Sequence, residues 1–540
     1  MNSNPKTDTH LSAWPAKLVR MPVRWRAVAR CLLEPRRQVI VAFTAVLVVS
    51  ALLMVPAFDQ PAAPLDEGLL LAYPARMLNG ALPQRGFYDP YGPGSVWTVA
   101  VAFEVLGESL TSERVVGMIY RLTIIGSAFV LACCWGLGAA LVAAAIVAAT
   151  LAGSVGAPAS VGFWALALLG YALLARALLS PSAHSRNLIP AAGALLSASA
   201  LMRIDFLPAV VLACIPAVLI IPARDRRRFA VGVVAGFAPL VLHVALVGPH
   251  DVWRSLRIGL GTHGRPSRPP FVSGLAALVA LYALATVLLL GAGLFLERRM
   301  RRDPEARVLL GAGLFGLGMV PFAFTKLDEP HVVISSIAVL AMLPVAGVVL
   351  VRGDLLQRPT TPAARRFALA SVAIVAFFAC AEAIRYPVYH QAEELLTGSR
   401  EPSFQVSNAG RSFRLADAQQ ADEVQAIVTA LDRLARPGES LFDGPQDLRT
   451  AGTPNDVFLY FLLPQLKPAS YFMQVDQHTI NRPSNGFTRE LSRADFLVLE
   501  ASPSLPPAVD LGPATANQIV GSKFCVKVQG ASYRLYERCR

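Results

Sequence analysis

An acidic pair, Asp66-Glu67, followed by Gly68, stands in a polar segment just beyond the first apolar run, Val39–Phe58, of a chain that otherwise keeps its acids away from apolar stretches. A carboxylate at the edge of hydrocarbon can serve as a general base, because partial desolvation raises its proton affinity. Further ionisable groups recur beside apolar runs: Arg203 with Asp205, Arg257 within the basic stretch 249–270, and Lys326 and His331 in Thr325–His331. Cations so placed suit an anionic group such as a phosphate, since they stabilise charge on it as it departs. Phosphate-binding glycine loops, HExxH and GxSxG are absent from the sequence. That removes the common ATP-driven, zinc-protease and α/β-hydrolase chemistries.

The elements that must position these residues follow from composition. The 540 residues are 54% hydrophobic and 16% charged, with mean hydropathy +0.50; these values describe a polytopic membrane protein. The net charge of +13 would suggest nucleic acid in a soluble chain. Here much of the surplus sits in short loops between apolar runs, as orientation by cytoplasmic Lys and Arg produces, so nucleic acid is not expected as a partner. Residues 1–37 read as a basic cytoplasmic segment leading into a retained signal-anchor.

Eleven spans are expected, Val39–Phe58 and then 114–135, 137–154, 161–179, 188–202, 204–222, 229–248, 271–296, 308–324, 332–351 and 367–386, together a membrane all-α domain over 38–386. Alternation from the basic loops at 224–228, 298–302 and 352–366 places 59–113, Arg203/Asp205, 249–270, 326–331 and everything after 386 on one extracytoplasmic face. Ser95–Leu106 then cannot cross; roughly 12 residues cover too little of the ~30 Å hydrocarbon layer, and the segment should lie along the interface. Tyr91-Gly92-Pro93-Gly94 reads as the turn that sets its path, with Asp89 a capping acid.

Residues 387–540 have ordinary globular composition and read as a small C-terminal α/β domain. A helix is expected at Ala421–Ala435, strands at Ser440–Phe442, Ser470–Val475 and Phe496–Glu500, and a hairpin around Gln529-Gly530. Of seven cysteines, Cys525 and Cys539 flank that hairpin; a disulfide between them stays open, because a turn at Gly530-Ala531 does not set them directly opposite.

The run Leu65-Asp66-Glu67-Gly68, Ala75–Gly80, Phe87–Gly94 and Leu106-Gly107-Glu108-Ser109 to Arg114 resembles the GT-C membrane glycosyltransferases, nearest to relatives of protein O-mannosyltransferases and lipid A aminoarabinose transferases. The resemblance implies sugar transfer from a polyprenyl-phosphate donor to a hydroxyl of a glycan, lipid or protein outside the cytoplasm, in a cell-envelope membrane. It implies Asp66 as base with Glu67 beside it, and Arg203, Asp205, Arg257, Lys326 and His331 toward the donor. One departure is Ser154–Ser160, which lacks a second Asp found there in relatives; a divalent metal therefore stays undecided.

Each residue also has a plainer reading. Asp66 could cap the helix expected at Leu69–Leu78, Glu67 could pair with Arg76 or Arg85, and Arg203 could pair with Asp205 alone. The 249–270 cations could meet lipid headgroups, and His331 could be structural. The rival function is a transporter or flippase of a lipid-linked anion, which would require polar mid-span residues and internal symmetry. The spans read as almost purely Ala, Val, Leu and Gly, without a repeat.

Overall fold

The computed structural model describes residues 36–180, 182–263, 273–300, 302–325, 329–351, 382–449, 455–474, 485–501 and 514–539. Helices dominate the first part: α1 (Arg36–Met54), α2 (Asp66–Leu78), α3 (Gly94–Leu106), α4 (Leu110–Cys133), α5 (Leu137–Leu151), α6 (Ala159–Leu179), α7 (Leu188–Ala198), α8 (Leu207–Val218), α9 (Ala223–Val247), α10 (Pro249–His263), α11 (Ser273–Arg299), α12 (Pro304–Thr325), α13 (Glu329–Ser335), α14 (Ile337–Val351) and α15 (Glu382–Thr397).

Among the described residues, six helical stretches are long and apolar enough to cross a membrane: Arg37–Phe58, Leu110–Cys133, Ala159–Leu179, Ala223–Val247, Leu278–Arg298 and Pro304–Phe324. Each coincides with an expected span. Four further expected spans are shorter apolar helices, at Leu137–Leu151, Leu188–Leu201, Ile204–Val218 and Ile337–Val349. The eleventh, 367–386, lies almost wholly outside the described residues, so eleven crossings are not established. Exposed aliphatic side chains such as Ile40, Val41, Val231, Val234 and Val241 line the outer faces of α1 and α9, where hydrocarbon would cover them without breaking any hydrogen bond.

Packing inside the bundle relies on small residues. A Cβ added at Gly232 or Gly236 of α9 would come within 2.0 Å of Pro190 O or 2.1 Å of Ala194 O on α7. This is the close approach that small residues four apart permit. One span is less apolar than its composition suggests: α4 buries Glu113, Arg114 and Arg121.

The C-terminal domain is α/β, as expected. It contains a hairpin of β1 (Phe404–Asn408) and β2 (Arg411–Leu415), then α16 (Ala418–Leu434), β3 (Ser440–Pro445), α17 (Phe458–Leu462), β4 (Lys467–Pro468), α18 (Phe487–Leu491), β5 (Phe496–Glu500), α19 (Thr515–Lys523), β6 (Phe524–Gln529) and β7 (Tyr533–Arg538). Ala409 and Gly410 both have positive φ, 48° and 79°, the conformation a two-residue β1–β2 turn needs. The five-stranded sheet runs β4-β3-β5-β7-β6, with β3 and β5 parallel and the β5, β7 and β6 pairs antiparallel. Asp417 caps α16 through Gln420 N–H.

Two local expectations change. Residues 470–474 form no strand; their backbone is engaged elsewhere, Tyr471 N–H by the Glu490 carboxylate at 3.2 Å, Tyr471 O by Tyr88 N–H and Met473 O by Asn455. Cys525 and Cys539 are disulfide-bonded, with Cα atoms 5.2 Å apart. Cys525 stands opposite Glu537, two residues short of its partner, beside a bulge between Val526 and Val528.

The domain seats directly on the segment between α1 and α4. Asp59 pairs with Arg400 and Arg414, and Glu108 with Arg411; Ala62 N–H donates to Arg414 O at 2.8 Å.

Candidate active site

The helix α2 begins at Asp66 because Pro64 and the preceding turn bring the chain round, and its cap position is Leu65, with no side chain capping it. Asp66 is therefore a first-turn acid rather than the cap, and it is exposed.

Glu67, the next residue, is 9% exposed and lies in a different environment. Its carboxylate takes a forked contact from Arg114 of α4, Nε to Oε1 at 2.9 Å and Nη2 to Oε2 at 3.2 Å, and Oε2 also accepts Ala63 N–H at 2.9 Å. Arg114 Nη1 donates to the carbonyls of Ala57, Phe58 and Gln60 at 2.9 to 3.0 Å. The partner is thus Arg114, neither Arg76 nor Arg85. Removing one side of such a buried pair costs about 3–5 kcal/mol, since the other charge stays behind without compensation.

On the same helix, Glu113 next to Arg114 accepts Ala157 N–H at 2.5 Å, and Arg121 two turns on donates to Gly156 O at 2.5 Å. These bonds fasten the 154–158 segment, which has no Asp, to the same buried charged layer. A Cβ on Gly156 would stand 3.3 Å from Glu67 Cγ.

Around Tyr91 the sequence candidates meet. Arg203 leaves helical geometry at φ −144° between α7 and α8, is 4% exposed, and forms a forked pair with Asp205, Nε at 2.9 Å and Nη2 at 2.6 Å. Its guanidinium lies 4.0 Å from the Tyr91 ring centre, 4.3 Å from Phe206 and 4.9 Å from Phe322. Burial raises the Tyr91 phenol pKa; Arg203 opposes that, and Asp205, Asp66 and Asp89 add to it. Asp66 thus acts on the same phenol as Arg203, Asp205 and Asp89. His331 of α13 stacks at 4.8 Å on Phe322, joining the same aromatic wall.

The Tyr91–Gly94 turn is structural and also aims Tyr91. A Cβ on Gly92 would lie 2.0 Å from Leu201 O, and Gly92 N–H donates to Met202 O at 3.2 Å. Only glycine lets the turn lie against the chain immediately before Arg203.

Asp89 is buried, its pKa lifted to about 7 by desolvation against the Tyr91 N–H bond and the Arg203 charge. Gln84 holds the same loop from φ +67°, a left-handed conformation uncommon without glycine; its amide donates to Tyr91 O at 3.0 Å and pairs with His243 at 3.1 Å. Sequence reasoning missed Gln84, Glu113, Arg114 as a partner and Arg121. The signal available was a charge inside an apolar run, at Arg121.

The 249–263 stretch is the helix α10, not a loop. Ser255 donates to Asp89 O at 2.7 Å and Gly259 sits against Pro90, so that face meets the site. Arg257 is exposed and is not brought to Arg203. Lys326 lies outside the described residues. Among the described residues, no three His, Cys, Asp or Glu side chains form a metal-holding group.

The fold, along nearly the whole chain, is similar to that of solved structures. ArnT from Cupriavidus metallidurans bound to undecaprenyl phosphate superposes with TM-score 0.55 at 15% identity, covering 92% of this chain and 97% of that one. The apo state of the same protein gives TM-score 0.52, with the same identity and coverage. The chain has an ArnT-like GT-C fold. No family model and no curated protein matches the sequence, so in this GT-C fold the three-dimensional likeness persists where sequence similarity has faded. Among the described residues, six helices are long and apolar enough to cross a membrane, in keeping with an integral membrane protein of this fold.

Proposed function

We propose that the chain transfers a sugar from a polyprenyl-phosphate donor to a hydroxyl of a glycan, lipid or protein acceptor at the extracytoplasmic face. The Asp66 carboxylate takes the proton of the acceptor hydroxyl. The freed oxygen bonds to the anomeric carbon as that carbon's bond to the donor phosphate breaks, and the electron pair leaves with the phosphate. Arg203 meets that charge: Nε and Nη2 are committed to Asp205, which leaves Nη1 for the phosphate. Lys326 and His331 follow Phe322 in sequence and are assigned to the same phosphate. Glu67, tied to Arg114, positions Asp66 rather than reacting. The exposed Val101, Val105 and Leu106 of α3 offer the polyprenyl chain an apolar edge.

The observation that carries this reading is the exposed Asp66 acting on the same phenol as the aromatic-bound Arg203 in an ArnT-like fold. The donor class is supported by the undecaprenyl phosphate held by the ArnT neighbour. The test is sugar transfer from radiolabelled polyprenyl-phosphate donors in membranes carrying the wild type or Asp66→Asn. The variant is expected to lose about 10²–10⁴-fold in rate at equal expression, the range of a positioned base; unchanged transfer would remove Asp66 from the reaction.

A further inference from the structure

A second polar cavity, of about 440 Å³, opens at the seam between the membrane bundle and the C-terminal domain. The bundle contributes Arg76 from α2, Arg85 from the following loop and Arg254 from α10, while the C-terminal domain contributes Lys467, Tyr471 and Glu490. Arg76 stands ten residues along α2 from Asp66, roughly 15 Å at the helical rise, and the cavity lining shares no residue with the Tyr91 cluster.

Four cations face one carboxylate, and that carboxylate is already engaged by Ser470 Oγ at 2.8 Å and Tyr471 N–H at 3.2 Å. Among the described residues none of Arg76, Arg85, Arg254 and Lys467 takes part in an ion pair. Two are aimed by other contacts: Arg76 Nη1 donates to Leu466 O at 3.1 Å, and Arg254 lies 4.8 Å over the Tyr471 ring. Tyr471 is itself anchored, its hydroxyl donating to Gln84 O at 2.8 Å. Burial depresses the Arg76 guanidinium. Unneutralised like charges converging on a concave wall raise the local concentration of anions, and arginine forks match oxyanions. The volume falls in the range of small-ligand sites.

We propose that this seam cavity binds an oxyanion carried by the acceptor, a phosphate or carboxylate on a glycan, and so presents the acceptor hydroxyl toward Asp66. The inference rests on the transfer reading above for its use of the word acceptor. The anion site itself rests on the four cations lining the cavity and is tested by binding alone. Because its walls come from both domains, the site exists only while the C-terminal domain is seated.

The test is calorimetric titration of the full chain in neutral phosphatidylcholine nanodiscs with glucose 6-phosphate, glucuronate and glucose. Either anionic sugar is expected to bind at least tenfold more tightly than glucose. Arg85→Gln with Lys467→Gln, both exposed side chains and so harmless to the core, should cut that affinity at least tenfold; Asp66→Asn should leave it unchanged. In discs containing phosphatidylglycerol, unaltered affinity assigns the site to the soluble anion, and competition assigns it to a lipid-borne one. Equal binding of glucose and the anionic sugars, or equal affinity of wild type and the double variant, would overturn the proposal. Anion binding by a chain that transfers no sugar would keep this site while removing the proposed reaction.

Discussion

Arg203 is held by one carboxylate and three aromatic faces, and each contact depends on the planar guanidinium. A lysine there would keep the charge but lose the forked pair with Asp205 and the stacking on Tyr91 and Phe206. Arg203→Lys is therefore expected to lower transfer at least tenfold through a raised KM for the donor, with the protein still purifying as wild type; initial rates against donor concentration decide it, and an unchanged KM would detach Arg203 from the phosphate. Asp66, Arg203 and Asp205 were legible in the sequence because a charge beside an apolar run is costly enough to stand out. Arg114 as the partner of Glu67 was not, since 47 positions separate them and nearer arginines at 76 and 85 competed for the assignment. Arg257 and Arg254 show the opposite failure: three residues apart on one face of α10, they differ because Tyr471 of the C-terminal domain lies under Arg254 while Arg257 stays exposed, a neighbour the sequence does not show.

At the scale of elements, the sheet of the C-terminal domain carries a buried acid cluster at the ends of its parallel strands. Asp443 of β3 and Glu500 of β5 are joined by Asp456, which accepts the Tyr533 hydroxyl of β7; Asn455 donates to Asp443 at 3.1 Å. Desolvation raises all three, Asp443 well above its ordinary value with Asp456 adding to it, Asp456 to about 7 and Glu500 to about 8. Groups whose folded pKa exceeds the unfolded one bind more protons when folded. Their stabilisation is thus complete below the ordinary carboxylate range and is lost as pH rises through about 7 to 8. Hydrogen exchange in β3 and β5 should accelerate, beyond its intrinsic pH dependence, between pH 6 and pH 9, and Asp456→Asn should flatten that rise; a slope identical in both proteins would show that the cluster does not titrate there. Strands β3 and β5 were legible from their apolar runs and the β6–β7 hairpin from its turn, whereas β1, β2 and β4 were not expected. The 470–474 segment was not legible, because its alternation is that of a strand while the Glu490 carboxylate of α18, the Tyr88 N–H of the first loop and the Asn455 amide claim its backbone.

The whole molecule depends on how closely the C-terminal domain approaches the first loop, and Gly68 sets that distance. The sequence shows this residue only as the third letter of an acidic motif. In the fold its missing Cβ is what lets α2 touch α17, since a Cβ there would lie 2.7 Å from Phe458 N and 3.3 Å from Val457 C. Both are backbone atoms that cannot swing aside, unlike a flexible side chain. Gly68→Val should push the two domains apart at a cost of about 1–3 kcal/mol, the usual penalty for overpacking, with Gly68→Ala intermediate. Separation would loosen the Asp59 and Glu108 ion pairs with Arg400, Arg414 and Arg411 and divide the walls of the seam cavity. The expected signature is faster hydrogen exchange at residues 404–415 and 458–462, weaker binding of anionic sugars, and slower transfer, while the α4 to α6 core keeps its protection. A valine variant with wild-type exchange and wild-type transfer would mean that this contact does not hold the domain in its working position.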